Sequence, residues 1–231
     1  MIEVFPIHSR TGRCYLVREN TSLMLIDAGY RGSFSRIQSV MEENQLEPAD
    51  LALIIITHVH HDHVGGLAQV KHTSGAPVMV HAMEAITLER GEVPIPEGTF
   101  WLSRIMAFLG RTSLNRLLGY PPVKPDILVE DIVPLHRYGF TATVLPTPGH
   151  TRGSLSVLFG SGEAFVGDAC VHFTWKETVF PWFANDISTL IHSWKTLLGS
   201  EALTFYPGHG APFTRQKLEQ SFQIVSKKYP A

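Results

Sequence analysis

Apolar residues along the chain recur with two spacings. Ile2 to Ile7, Cys14 to Val17 and Leu23 to Ile26 are short runs rich in apolar and β-branched residues. Ser9-Arg10-Thr11-Gly12 and Glu19-Asn20-Thr21 separate them, so the pattern predicts an antiparallel meander. A helical spacing follows. Ile37, Val40 and Met41 fall on one face of a helix from about Phe34 to Asn44, with Ser33 as its expected cap. Leu51-Ala52-Leu53-Ile54-Ile55-Ile56 lacks any polar alternation and predicts a buried strand. Beyond it the pattern predicts a helix over about 65–73, a strand from Pro77 to Val80 ending at His81, and a helix from Ala82 to Arg90.

Residues 91–122 break this rhythm. A Pro-rich loop (Pro94, Pro96) leads to an apolar helical stretch with Phe100, Trp101, Leu102, Ile105, Met106, Phe108 and Leu109, and the segment closes with Leu114 to Pro122. It reads as a helical insertion at about 91–122, either a lid over a site or a packed helical hairpin. Strands then return at Ile127 to Val133, Phe140 to Leu145, Ser154 to Phe159, Ala164 to Val166 and Ala202 to Tyr206. Helices are expected at about 186–198, capped by Asn185 or Asp186, and at 213–228. Two groups of strands, each with helices nearby, predict two packed sheets with helices outside, in one domain over 1–231.

Composition narrows the function classes. Of 231 residues, 44% are hydrophobic and 17% charged, enough to bury the core of a globular enzyme. A formal net charge of −2 gives no electrostatic reason to expect nucleic acid or an anionic membrane as partner. The start of the chain lacks the basic and long apolar stretches of a signal peptide, and no run reaches the ~18 apolar residues of a membrane span. With only Cys14 and Cys170, far apart, a disulfide framework is not expected, which points to a reducing cytoplasm.

The chemistry is concentrated in Thr57-His58-Val59-His60-His61-Asp62-His63, between the buried strand and Val64-Gly65-Gly66-Leu67. His58, His60, Asp62 and His63 are metal-ligand types on what reads as a loop at a strand end. His61 is expected to point away, because its neighbours use the alternate positions. Three more candidates follow predicted strands, each directly after a glycine that permits a sharp turn: His150 in Pro148-Gly149-His150, Asp168 in Val166-Gly167-Asp168 and His209 in Pro207-Gly208-His209.

These residues in this order resemble the metallo-β-lactamase superfamily, and within it dinuclear hydrolases such as glyoxalase II and the acyl-homoserine lactone lactonases. The resemblance spans about residues 2–215. It implies an α/β four-layer αββα sandwich with two divalent metal ions at one edge. His58, His60 and His150 would hold the first, Asp62, His63 and His209 the second, and Asp168 would bridge them. Imidazoles with a minority of carboxylates suit zinc, with iron or manganese as alternatives. Two such ions would generate a bridging hydroxide near neutral pH, which attacks an ester, thioester or lactone carbonyl. Asp62 would also relay a proton. Asp27, in Leu25-Ile26-Asp27-Ala28-Gly29, resembles a family position behind the ligands and is expected to orient their loop. His172, Trp101, Phe173 and Trp175 are candidate contacts of a small-molecule substrate. Glyoxalase II-like proteins carry a basic C-terminal extension for glutathione, whereas this sequence stops soon after His209, which weighs against glutathione thioesters. The alternatives are a persulfide dioxygenase-like redox enzyme, a phosphodiesterase and a β-lactamase-like amide hydrolase.

Overall fold

The computed structural model describes residues 1–9, 12–93, 97–109 and 119–230. The meander forms as its pattern requires. β1 (Ile2–His8), β2 (Arg13–Glu19) and β3 (Ser22–Ile26) pair antiparallel. Beside β3, in parallel, lies β4 (Leu51–Ile55), then β5 (Val78–His81) and β6 (Ile127–Val129). The second six-stranded sheet has the order β12-β11-β10-β9-β8-β7. Its strands are β7 (Val133–Pro134), β8 (Ala142–Pro146), β9 (Leu155–Phe159), β10 (Glu163–His172), β11 (Thr204–Gly210) and β12 (Phe213–Thr214). All its pairings are antiparallel except β10 with β11.

Helices cover both outer faces. Against the first sheet lie α1 (Ser33–Glu43), the single turn α2 (His61–Val64), α3 (Leu67–Ser74) and α4 (Ala82–Arg90), packed through Ile37, Met41, Leu67 and Leu88. After α5 (Trp101–Leu109), α6 (Ile187–Gly199) and α7 (Arg215–Lys228) cover the second sheet through Leu190, Trp194 and Leu218. A third apolar layer lies between the sheets, where Met24, Leu53 and Ile55 meet Val144, Val157 and Phe165. This is the four-layer αββα sandwich. It also explains the unbroken apolar run of β4. Ile54 packs under the helices while Leu53 and Ile55 face the other sheet, so neither side of the strand can be polar.

Four expectations need correcting. Ile127 to Val133 is two strands, one in each sheet, because Glu130-Asp131-Ile132 carries the chain across from β6 to β7. Ser33 is the first residue of α1 rather than its cap. Gly32, at φ 95°, occupies the cap position, a left-handed conformation that glycine adopts without strain. The ligand motif is not all loop, since α2 begins at His61. Asp168 and His209 lie within β10 and β11 rather than after them, because the parallel pairing resumes at Val171–His209 beyond two register shifts. Asp186 does cap α6, accepting the Thr189 N–H at 3.0 Å. The Pro94 and Pro96 loop, the Arg10-Thr11 part of the first turn and the 114–118 part of the insertion's closing stretch lie outside the described residues.

Phe165 is fully buried between the sheets, stacked on Tyr206 at 4.8 Å and edge-on to Tyr15 at 5.2 Å. Phe165→Ala should lower stability by ~3–5 kcal/mol in urea unfolding, the usual range for a buried phenylalanine. A loss below ~1 kcal/mol would show that this layer does not hold the sheets together.

Candidate metal centre

The strand ends of both sheets converge on one cluster. β4 delivers His58 and His60, and α2 then turns Asp62 and His63 back towards them. His150 follows β8, while β10 and β11 deliver Asp168 and His209. Three groups have potential ligand atoms within 4.8 Å of one another: His58, His60 and His150; His58, His63 and Asp168; and Asp62, His63 and His209. Asp168 lies between the triads, with Oδ1 3.6 Å from His63 Nε2 and Oδ2 3.7 Å from His150 Nε2 and 3.3 Å from His209 Nε2.

Hydrogen bonds behind the rings fix how they face. The buried Asp27 accepts the Thr57 N–H through Oδ1 and the Thr57 hydroxyl through Oδ2, each at 2.8 Å. Its Oδ2 also takes the His63 Nδ1–H at 2.8 Å. With its hydroxyl proton committed to Asp27, Thr57 accepts from His58 Nδ1 at 3.1 Å. His150 donates from Nδ1 to the Phe183 carbonyl at 2.8 Å. In all three histidines Nδ1 is therefore turned away, and Nε2 is the ring atom that faces the cluster.

Those inward atoms fit a cation. His58 Nε2, His63 Nε2 and Asp168 Oδ1 are buried without a hydrogen-bond partner. Orphaned buried polar atoms are rare, and here three of them gather in one place. His60 Nδ1 and His150 Nε2 lie 3.1 Å apart, close to the ~3.3 Å between two nitrogens on one tetrahedral zinc. Five imidazoles and two carboxylates suit zinc, iron or manganese better than calcium or magnesium.

Charge divides the cluster. Burial, reinforced by the neighbouring imidazoles, holds His58 and His60 far below the ordinary histidine range, and burial also lowers His150. Burial works against the charged form of His63 too, but Asp27, Asp168 and Asp62 outweigh it and raise its pKa to about 10. In the same way Asp168 and Asp62 overcome burial at His209 and raise it to about 9. Asp62 is half-buried, and although burial opposes its charge, His209 and His63 hold it well below the usual carboxylate range.

Glycine is required where backbone and cluster nearly touch. A Cβ on Gly208 would lie 2.5 Å from both Asp168 Oδ1 and His63 Cε1. The other candidates make contacts of their own. His61 meets the Tyr30 ring edge-on at 5.7 Å. His172 turns its Nδ1 to the Ala211 carbonyl at 2.9 Å and packs on Phe213. Phe173 stacks on Trp175 at 5.7 Å, with Lys176 between Trp175 and Trp182. Trp101 lies on α5 with 72% of its surface exposed.

Two contributors escaped the sequence pattern. Segment 97–99 pairs with 182–184 through Thr99 N–H to Trp182 O and Ala184 N–H to Glu97 O, which places the Phe183 carbonyl behind His150. Glu84 is a buried carboxylate on the same face of α4 as Leu88, and a charged residue on an apolar helix face was its one signal.

The family model described as the Metallo-beta-lactamase superfamily matches residues 10–209. The chain belongs to that superfamily. The hydroxyacylglutathione hydrolase GloC of Haemophilus influenzae is 28% identical over 232 residues, covering 98% of this chain and 99% of its own. A probable metallo-hydrolase of Streptococcus pyogenes is 31% identical over 209 residues, covering 87% of this chain and 79% of its own. Among solved structures, the B3 metallo-β-lactamase BLEG-1 superposes with a TM-score of 0.72 at 21% identity, covering 98% of this chain and 100% of that one. At that identity the likeness speaks for the fold.

The raised pKa values set the proton balance of metal binding. At pH 7.5, below both folded values, cation-free protein carries protons on His63 and His209. Ligation needs those lone pairs, so loading with zinc should release about two protons from these residues and none from the neutral His58, His60 and His150. Affinity at the Asp62–His63–His209 triad should accordingly fall as pH is lowered. Zinc titration in buffers of different ionisation enthalpy measures the release, and zinc uptake without it would contradict the assignment.

Proposed function

We propose that the protein is a metal-dependent hydrolase of ester, thioester or lactone carbonyls, with His58, His60 and His150 holding one divalent cation and Asp62, His63 and His209 a second. Zinc is the first expectation and iron or manganese the alternatives. The observation that carries this reading is the place of Asp168, whose carboxylate faces His63, His150 and His209 at 3.3–3.7 Å and so joins the triads. Bound divalent cations would supply an activated water at neutral pH and polarise the carbonyl under attack.

The chain's own residues do the rest. Asp168 fixes the separation of the triads. Asp27 and Thr57 lock the rings of His63 and His58 so that they cannot turn away. Asp62 faces His209 Nε2 through Oδ2 at 3.3 Å and His61 Nδ1 through Oδ1 at 3.7 Å. With its carboxylate kept ionised, Asp62 can accept a proton at Oδ1 and pass it to the more exposed His61. His172, Phe173 and Trp175 follow Asp168 directly in the chain and form a rim for the apolar part of a small-molecule substrate, with Trp101 on the adjoining insertion at about 91–122.

The Haemophilus GloC relative makes hydroxyacylglutathione thioesters the first substrates to test. That relative is matched over 99% of its own length, so a chain of this extent suits such a substrate. Both cysteines are buried and unpaired, which supports a cytoplasmic setting. No described helix is long and apolar enough to cross a membrane.

A panel of S-acylglutathiones, lactones, β-lactams and bis-p-nitrophenyl phosphate, run on zinc-loaded protein, tests the reading. Thioesters or lactones should give the highest kcat/KM, and Asp168→Ala should lower it by at least ~100-fold. Turnover of the phosphodiester alone, or full activity in Asp168→Ala, would overturn it.

A further inference from the structure

Two buried carboxylates stand behind the cluster, and they hold different parts of it. Asp27 binds the His63 ring and Thr57. Glu84 binds no ligand side chain. Its Oε2 accepts the Val59 N–H and its Oε1 accepts the Gly153 N–H, both at 3.2 Å. Val59 is the residue between His58 and His60. Gly153 lies three residues after His150, in the turn between β8 and β9. One carboxylate thus ties a loop leaving the first sheet to a loop leaving the second. Those loops carry all three members of the triad His58, His60 and His150. Among the described residues Glu84 makes no hydrogen bond to 61–63 or 207–209, which supply the other triad.

Local structure is shaped around this clamp. Glu84 lies in the first turn of α4, where the partial positive charge of a helix N-terminus suits a carboxylate. Only 6% of its surface is exposed, so water cannot readily replace it as the partner of the two N–H groups. A Cβ on Gly153 would lie 3.0 Å from Glu84 Oε1 and nearer still to its Cγ, so glycine is what lets the loop approach. The same two loops meet once more through the Leu155 N–H and the Thr57 carbonyl at 2.8 Å, which keeps them in register without Glu84.

We propose that Glu84 is a positioning residue that sets the spacing of His58, His60 and His150, and so governs the affinity of that triad alone for a divalent cation. The proposal rests on the two-cation reading above. Glu84→Gln keeps the shape of the side chain but offers one oxygen to two N–H groups. Gly153→Ala leaves Glu84 in place but pushes the loop off it.

The test separates the triads. Co²⁺ binding is followed by its visible absorption, under chelator competition, in His209→Ala protein, where only the first triad is intact, and in His150→Ala protein, where only the second is. In the His209→Ala background, Glu84→Gln and Gly153→Ala should each weaken cobalt binding ~10–100-fold and alter the absorption bands. In the His150→Ala background neither should change affinity or spectrum. Equal losses in both backgrounds, no loss in either, or failure of both variants to fold would overturn the proposal, by showing that Glu84 supports the chain at large or nothing. If the unmutated chain takes up fewer than two cobalt ions, the two-cation reading fails, and this proposal with it.

Discussion

Everything at the catalytic edge of the sandwich follows from one electrostatic constraint. Five imidazoles and two carboxylates must face one another in a largely buried space. Burial alone would drive the histidines neutral and the carboxylates protonated. The electrostatic balance splits the cluster. His58, His60 and His150 stay neutral, while the carboxylates charge His63 and His209. The neutral triad lies towards β8 and the charged pair towards Asp62. Divalent cations would satisfy both halves at once, which is why unpartnered atoms such as His58 Nε2 and Asp168 Oδ1 can persist at the centre of a folded protein.

The fold meets the constraint by dividing the task between its sheets. The first supplies the motif from His58 to His63, and the second supplies His150, Asp168 and His209. The apolar layer between them, from Met24 and Leu53 to Phe165, fixes how far apart these groups stand. Near the cluster, Tyr15 reaches from the first sheet to the Pro207 carbonyl at 2.7 Å, two residues before His209. Behind the rings, Asp27 and Glu84 hold the loops from the helix side of the first sheet, and the Phe183 carbonyl holds His150 from the second. The aromatic segment after β10 and residues 97–99, which pair with 182–184, are where the proposed reading places substrate specificity.

Much of this was legible in the sequence because it depends on local pattern. The unbroken apolar run at 51–56 identifies a strand buried on both faces, and a glycine before each of His150, Asp168 and His209 marks where backbone must come close. Gly208 shows the physical reason, since any side chain there would occupy the space of Asp168 and His63. The misread features depend on contacts between distant segments. Ile127 to Val133 reads as one strand, and only sheet membership reveals that it spans two. Glu84 bonds to residues 25 and 69 positions away, so no spacing rule reaches it.

The central claim is that these seven side chains form two cation sites joined by Asp168. Anomalous diffraction from zinc-loaded crystals, recorded on either side of the zinc edge, tests it directly. The account predicts two peaks per chain, one bounded by His58, His60 and His150 and one by Asp62, His63 and His209, with Asp168 oxygens reaching both. A single peak at full zinc occupancy, or two peaks with Asp168 bound to neither, would contradict it.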